Sequence, residues 1–217
     1  MSVLDFLTPA TGPDAPVAES PLAPALAAAG ATFAVRDGWR VPVDFGAPAA
    51  EADAARATVV WADVSHLRKL ELQGAFDHDL GTAVRRDDGW LLPLTPARAL
   101  AIGETLPAAP AGADAVDVTT QFAALTVAGP AARETLARFC ALDLRPAVAP
   151  PAALRPGSIA RTPGIVVVEA PDRFLLLVGA AVALHVWEVV ADAGTHLGGR
   201  PAGLDALAST EEVAAHA

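Results

Sequence analysis

The stretch Trp61-Ala62-Asp63-Val64-Ser65-His66-Leu67-Arg68-Lys69-Leu70-Glu71-Leu72-Gln73-Gly74 returns in weaker form as Val116-Asp117-Val118-Thr119-Thr120-Gln121-Phe122-Ala123-Ala124-Leu125-Thr126-Val127-Ala128-Gly129. In each copy an Asp-Val-Ser or Asp-Val-Thr entry leads into alternating apolar positions, Leu70 and Leu72 in the first and Leu125 and Val127 in the second, and a glycine closes the run. Alternation with period two reads as a strand with one buried face, and the glycine as the turn that ends it. The copies differ by one residue between the Asp and the Gly. The chain is therefore expected to be built twice, around two strand entries.

Outward from the first copy, the sequence predicts a short helix from Pro21 to Gly30 with Ser20 at its cap position, a strand from Thr32 to Val35, a turn at Asp37-Gly38, and a helix from Ala49 to Thr58. After Gly74 a short helix through Leu80 is expected, then a turn at Asp87-Asp88-Gly89 and two apolar segments, Trp90 to Leu94 and Ala99 to Ile102. Pro93 and Pro96 assign these to sheet edges. Leu106 to Asp114, with two prolines and Gly112, reads as a linker.

Around the second copy the pattern is cleaner. A strand Phe122 to Ala128 precedes a helix that starts at Gly129-Pro130 and buries Ala132, Leu136 and Phe139. Strands at Ile165 to Glu169 and Phe174 to Val178 flank a Pro171-Asp172 turn, and a helix from about Ala180 to Ala193 follows. Strand, helix, strand, strand, helix is the split βαβ, ferredoxin-like plan. The expected organisation is a flexible tail at 1–20, a first unit at 21–110, a second at 111–207 and a tail at 208–217.

Lys plus Arg number 15 against 25 Asp plus Glu, a net charge of −10, which is the wrong sign for a reader of phosphate backbones. Nucleic acid is not an expected partner. With Cys140 as the single cysteine, no internal disulfide or multi-thiolate metal site can form, and a reducing cytoplasm is the expected compartment. Residues 1–24 carry Asp5, Asp14 and Glu19 with no basic flank or long apolar core, so neither a secretory signal nor a membrane span is expected.

Asp63, Ser65 and His66 invite a catalytic triad reading. Neighbours on a strand point to opposite faces, however, and no G-x-S-x-G elbow exposes a nucleophile, so a local role in the turn is the better expectation. His66, His78, His185, His196 and His216 show no metal-ligand spacing, and no metal is expected. Gly198-Gly199-Arg200-Pro201 reads as a turn ending a helix, because the proline removes an amide that a phosphate cradle would use. Cys140 reads as a small buried thiol.

The run with Gly38-Trp39-Arg40-Val41-Pro42-Val43, a helix holding Glu51 and Arg56, and Asp63-Val64-Ser65-His66-Leu67-x-Lys69-Leu70-x-Leu72-x-Gly74 resembles the start of the glycine cleavage T protein (aminomethyltransferase) family. Asp117-Val118-Thr119, Leu125-x-Val127-x-Gly129-Pro130-x-Ala132-Arg133, Leu142-Asp143-Leu144, Arg161-Thr162 and Trp187-Glu188 are similar to the second half of the same superfamily, in the form it takes in the gamma subunit of heterotetrameric sarcosine oxidases. The resemblance covers roughly residues 20 to 207.

It implies an α+β fold of two interlocked ferredoxin-like units around a tetrahydrofolate site, here without the family's C-terminal barrel, and it implies one-carbon chemistry. The family's site motifs are eroded. Its Gly-Gly-Ile-x-Asp-Asp-Leu stretch has no match, the region reading Asp87-Asp88-Gly89-Trp90-Leu91-Leu92-Pro93, an exposed turn and a strand. Its Arg-Thr-Gly-Tyr-Thr-Gly-Glu-Asp-Gly stretch survives as Arg161-Thr162-Pro163-Gly164, and its arginine-bearing Gly-Leu element as Gly203-Leu204-Asp205-Ala206-Leu207. The expectation is a non-catalytic aminomethyltransferase-like protein, a structural or folate-channel subunit beside flavoprotein oxidase subunits; the alternative is an active tetrahydrofolate-dependent enzyme or folate sensor. Tetrahydrofolate is the implied cofactor, expected at Asp63, His66, Lys69 and Arg161, with no catalytic residue assigned.

Overall fold

The computed structural model describes residues 18–86, 89–104 and 112–208. Expectations for residues 1–17, the Asp87-Asp88 turn, linker positions 106–111 and the tail from 209 lie outside them.

In chain order the elements are β1 (Ala18–Glu19), α1 (Ala23–Ala28), β2 (Thr32–Arg36), β3 (Trp39–Asp44), α2 (Pro48–Ala57), β4 (Val60–Asp63), β5 (Arg68–Gln73), β6 (Val84–Arg86), β7 (Gly89–Thr95), β8 (Arg98–Gly103) and β9 (Asp114–Asp117). There follow β10 (Phe122–Ala128), α3 (Ala132–Ala137), β11 (Leu154–Ile159), β12 (Thr162–Ala170), β13 (Arg173–Gly179), α4 (Ala183–Thr195) and β14 (Arg200–Pro201). Single 3-10 turns, Thr119–Gln121 and Ala180–Val182, lead into β10 and α4.

The strands make a six-stranded sheet, β11-β12-β13-β10-β4-β14, a five-stranded sheet, β6-β7-β8-β5-β9, and a three-stranded sheet, β1-β3-β2. In the six-stranded sheet β13 runs antiparallel to both β12 and β10, and β14 lies parallel to β4. The path β10, α3, β12, β13, α4, β14 is thus a split βαβ unit, into which β4 from the first half is inserted between β10 and β14.

Alternate residues of one strand fill two different cores. Phe174, Leu176 and Val178 of β13 join Trp61, Leu136, Val186 and Val190 beneath the helices. Leu175 and Leu177 join Leu92, Leu100 and Ile102 of the five-stranded sheet. A strand covered on both faces must be apolar throughout, which explains the unbroken run Phe174 to Val178. The layers are therefore helices, six-stranded sheet, five-stranded sheet. At the first interface Gly194 of α4 lies on Trp61: a Cβ there would stand 2.5 Å from the indole ring.

Two local expectations are corrected. No helix forms between Gly74 and Leu80; the Gly74 and Phe76 amides donate instead to the Ala97 and Pro96 carbonyls of the β7–β8 turn. Nor are β7 and β8 edges, since each lies between two neighbours. Pro93 is tolerated because β6 pairs only with residues 89–91, so the imino nitrogen sits past its end, beside a register shift between Pro93 and Thr95.

Candidate functional site

The two repeated stretches, from Trp61 to Gly74 and from Val116 to Gly129, are where the chain changes sheets. The first leaves the six-stranded sheet after β4 and enters the five-stranded sheet as β5; the second does the reverse from β9 to β10. They pair crosswise, β4 with β10 and β5 with β9.

Their side chains repeat the same bonds. Asp63 Oδ1 accepts from the Ser65 amide at 3.0 Å and from the Ser65 hydroxyl at 2.5 Å, while Ser65 Oγ accepts from the Ala124 amide at 3.0 Å. Asp117 Oδ1 accepts from the Thr119 amide at 2.8 Å, while Thr119 Oγ1 accepts from the Lys69 amide at 3.0 Å. The Val64 amide donates to Ala124 O and the Val118 amide to Lys69 O, both at 2.9 Å. Each copy's hydroxyl thus latches onto the strand of the other. Ala124 stands where Lys69 stands, one residue farther from its Asp, and the 3-10 turn Thr119–Gln121 takes up the extra residue.

Ser65 and His66 do point apart. Ser65 is buried, whereas half-buried His66 forms part of the wall of two adjoining cavities. The inner cavity, about 300 Å3, lies between the two large sheets; Trp90, Ile102, Glu169, Arg173 and Leu175 form its walls, with Leu204 and Leu207 closing one side. The outer groove, about 680 Å3, runs between Trp39, Arg68, Asp117 and Thr120. Arg36, His66 and Glu104 border both.

Inside the inner cavity the Trp90 indole donates to Glu169 Oε1 at 2.8 Å, and Arg173 Nε donates to Glu169 Oε2 at 3.1 Å. The Arg85 guanidinium stands 5.0 Å from the centre of the Trp90 ring. A carboxylate has about four lone-pair directions, so Glu169 keeps acceptor capacity for a further N–H donor. The result is a cavity with an indole, a fixed carboxylate and both apolar (Ile102, Leu175) and charged (Arg36, Arg85) walls, a combination that can take a heterocycle carrying N–H groups.

Of the residues expected to hold a cofactor, His66 alone borders the cavities. Asp63 is buried beneath the turn, and burial raises its carboxyl above the usual range against the hydrogen bonds from Ser20 and Ser65 and the charge of Lys69. Lys69 is also buried; its ammonium donates to Ser65 O at 2.8 Å and Leu67 O at 2.7 Å. Burial lowers Lys69 to about 8, opposed by Asp63 and Asp117. Burial lowers His66 to about 4, helped by the charges of Lys69 and Arg36 and opposed by Asp37. Near neutral pH the imidazole is uncharged and the ammonium charged. Arg161 is exposed in the β11–β12 hairpin with φ of 64°, eight residues from Glu169 along β12, roughly 25 Å at strand rise.

Glu104, Trp90, Glu169 and Arg173 are cavity residues that motif reading passes over. Glu169 does carry a signal, a lone carboxylate ending the apolar run Ile165 to Val168. Among the described residues no group of three His, Cys, Asp or Glu side chains could hold a metal ion, and no helix is long and apolar enough to cross a membrane.

These sheets, with a cavity beside their crossing, define an α+β scaffold of the aminomethyltransferase kind. The profile described as the GCVT N-terminal domain matches residues 78–212, more than half of the sequence, and the chain belongs to that family. Among solved structures, a chain of heterotetrameric sarcosine oxidase from Corynebacterium sp. U-96, in complex with pyrrole 2-carboxylate, aligns with TM-score 0.60 and 19% identity over 70% of this chain and 93% of that one. The glycine cleavage system aminomethyltransferase T from Bartonella henselae aligns with TM-score 0.70 and 16% identity over 88% of this chain, which spans 60% of its length. At such identities the likeness is one of fold. A comparison with curated protein sequences finds no match.

Proposed function

We propose that this protein is a non-catalytic, tetrahydrofolate-binding member of the aminomethyltransferase-like family, serving as a subunit beside a flavoprotein oxidase. The observation that carries the reading is Glu169, held by Trp90 and Arg173 in the wall of the inner cavity. The pyrimidinone ring of a reduced pteridine is flat and presents adjacent N–H donors to a carboxylate acceptor, while Trp90, Ile102 and Leu175 supply apolar surface for the ring system. The cavity, about 300 Å3, is at the lower end of the range for small-molecule sites, about 300 to 1,000 Å3. It suits the ring system, with the remainder of the ligand extending past His66 into the outer groove.

The non-catalytic part rests on the eroded family motifs in the sequence. Partnership with an oxidase is supported by the likeness to a chain of a heterotetrameric sarcosine oxidase along nearly all of that chain's length. Cytoplasmic location follows the same reading and the single cysteine.

Tetrahydrofolate titration followed by tryptophan fluorescence tests the binding, because Trp90 lies in the cavity wall. Saturable quenching in the micromolar range is expected, weakened at least tenfold in Glu169→Gln; a silent titration up to millimolar overturns it. Co-expression with flavoprotein oxidase subunits tests the partnership. A chain that never co-purifies with them counts against a subunit role. The neutral His66 imidazole favours one second reading, an active folate-dependent enzyme, which methylene transfer to tetrahydrofolate by the isolated chain would establish.

A further inference from the structure

Lys69 is the buried charge that the folate reading leaves unused. Its side chain is completely buried, and it lines neither the inner cavity nor the outer groove. Its ammonium turns back on its own chain and binds the carbonyls of Ser65 and Leu67, the residues immediately before and after His66. On the other side of the same turn, Asp63 holds the amide and hydroxyl of Ser65, and the Leu67 amide donates to Val64 O at 3.1 Å. A turn of Ser65, His66 and Leu67 is thus held by the Lys69 ammonium at one side and the Asp63 carboxyl at the other. The equivalent position in the second copy is Ala124, which has no cation to offer, so the clamp belongs to the copy that carries His66.

We propose that Lys69 is a positioning residue: by binding the carbonyls on both sides of His66, its ammonium fixes the turn that holds the imidazole as the common wall of inner cavity and outer groove. An alkyl chain alone would fill the same space but could donate to neither carbonyl, and the charge of the ammonium strengthens both hydrogen bonds. The charged groups around the clamp are Asp63 on β4, Asp117 at the end of β9, and Arg36 and Asp37 at the end of β2. The consequence for ligand passage between the cavities rests on the folate reading; the clamp itself does not, and its test uses the unliganded chain.

Modification of histidines by diethylpyrocarbonate, mapped residue by residue on the full chain, reads the position of His66 against exposed His196 as internal reference. Lys69→Met keeps the length and apolar stem of the side chain and removes the ammonium. At pH 7.5 the ratio of His66 to His196 modification is expected to rise at least tenfold in Lys69→Met with an unchanged far-ultraviolet spectrum, and Lys69→Arg to restore it at least in part. Should the variant fail to fold, the wild-type chain decides: the His66 imidazole is neutral throughout the range from pH 7 to 9.5, so the ratio should climb as Lys69, losing its proton near pH 8, exchanges two charge-assisted hydrogen bonds for weaker neutral ones. A flat ratio in the folded variant, or from pH 7 to 9.5 in the wild type, overturns the proposal. Because no folate is present, neither outcome depends on whether the cavity binds it.

Discussion

Ser65 and Thr119 are each a hydroxyl that accepts a backbone amide from the opposite copy, and the cost of losing either is set by what it leaves behind. Ser65→Ala strands the Ala124 amide in the core and removes a donor from buried Asp63; Thr119→Val strands the Lys69 amide. Each is expected to lower stability by about 2 to 3 kcal/mol in urea unfolding. His66 adds a pH dependence. Its imidazole titrates near 4 when folded against about 6.5 unfolded, so between those values the unfolded chain binds more protons and stability rises with pH. This contributes roughly 3 kcal/mol, complete above pH 6.5 and lost by pH 4. Asp63, whose carboxyl is raised, pulls the opposite way, so the share of His66 is the difference between wild type and His66→Asn, measured at pH 4.5 and 7. The Asp-Val-Ser/Thr entries are legible in the sequence because they are local. The partner of each hydroxyl, 50 or 59 residues away, is not.

At the level of elements, the segments that read best are those whose pattern is sufficient in itself. β10 spans the expected Phe122–Ala128, and α4 (Ala183–Thr195) falls on the helix expected from about Ala180 to Ala193. A proline weighed without knowing where the neighbouring strand stops sends β7 and β8 to the sheet edges; β6 is only three residues long, and that length is a tertiary fact. Composition after Gly74 suggests helix, while the β7–β8 turn supplies the backbone partners that make it an extended connection. The contact of α4 with β4 is the packing that a single methyl group would disturb. Gly194→Val places a branched side chain against Trp61, which is 1% exposed and has no room to withdraw. A loss of about 2 kcal/mol or more is expected, seen as a fall in melting temperature with a shift in Trp61 fluorescence.

On the scale of the whole molecule, the inner cavity gathers residues from Arg36 to Ala208, and no local window of sequence holds its outline. Family resemblance foretells the scaffold, and the profile match and solved structures agree with it. It does not foretell Glu169 or Trp90, because those side chains meet only when β7 of one sheet faces the end of β12 in the other. Removing the carboxylate is therefore a test of the cavity rather than of the fold: Glu169→Gln should weaken folate binding while leaving the melting temperature within a few degrees.

The crosswise latch at the two sheet changes also bears on how the chain folds. Neither Ser65 nor Thr119 can satisfy its partner until the other half has arrived, so each half alone would be left with an open amide where its strand turns from one sheet to the next. Contacts this far apart in sequence make for slow closure and a single cooperative event. Calorimetry should show one unfolding transition, with equal calorimetric and van't Hoff enthalpies, rather than two. Severed between residues 104 and 112, the halves should each be largely unstructured alone and regain the native spectrum only when mixed.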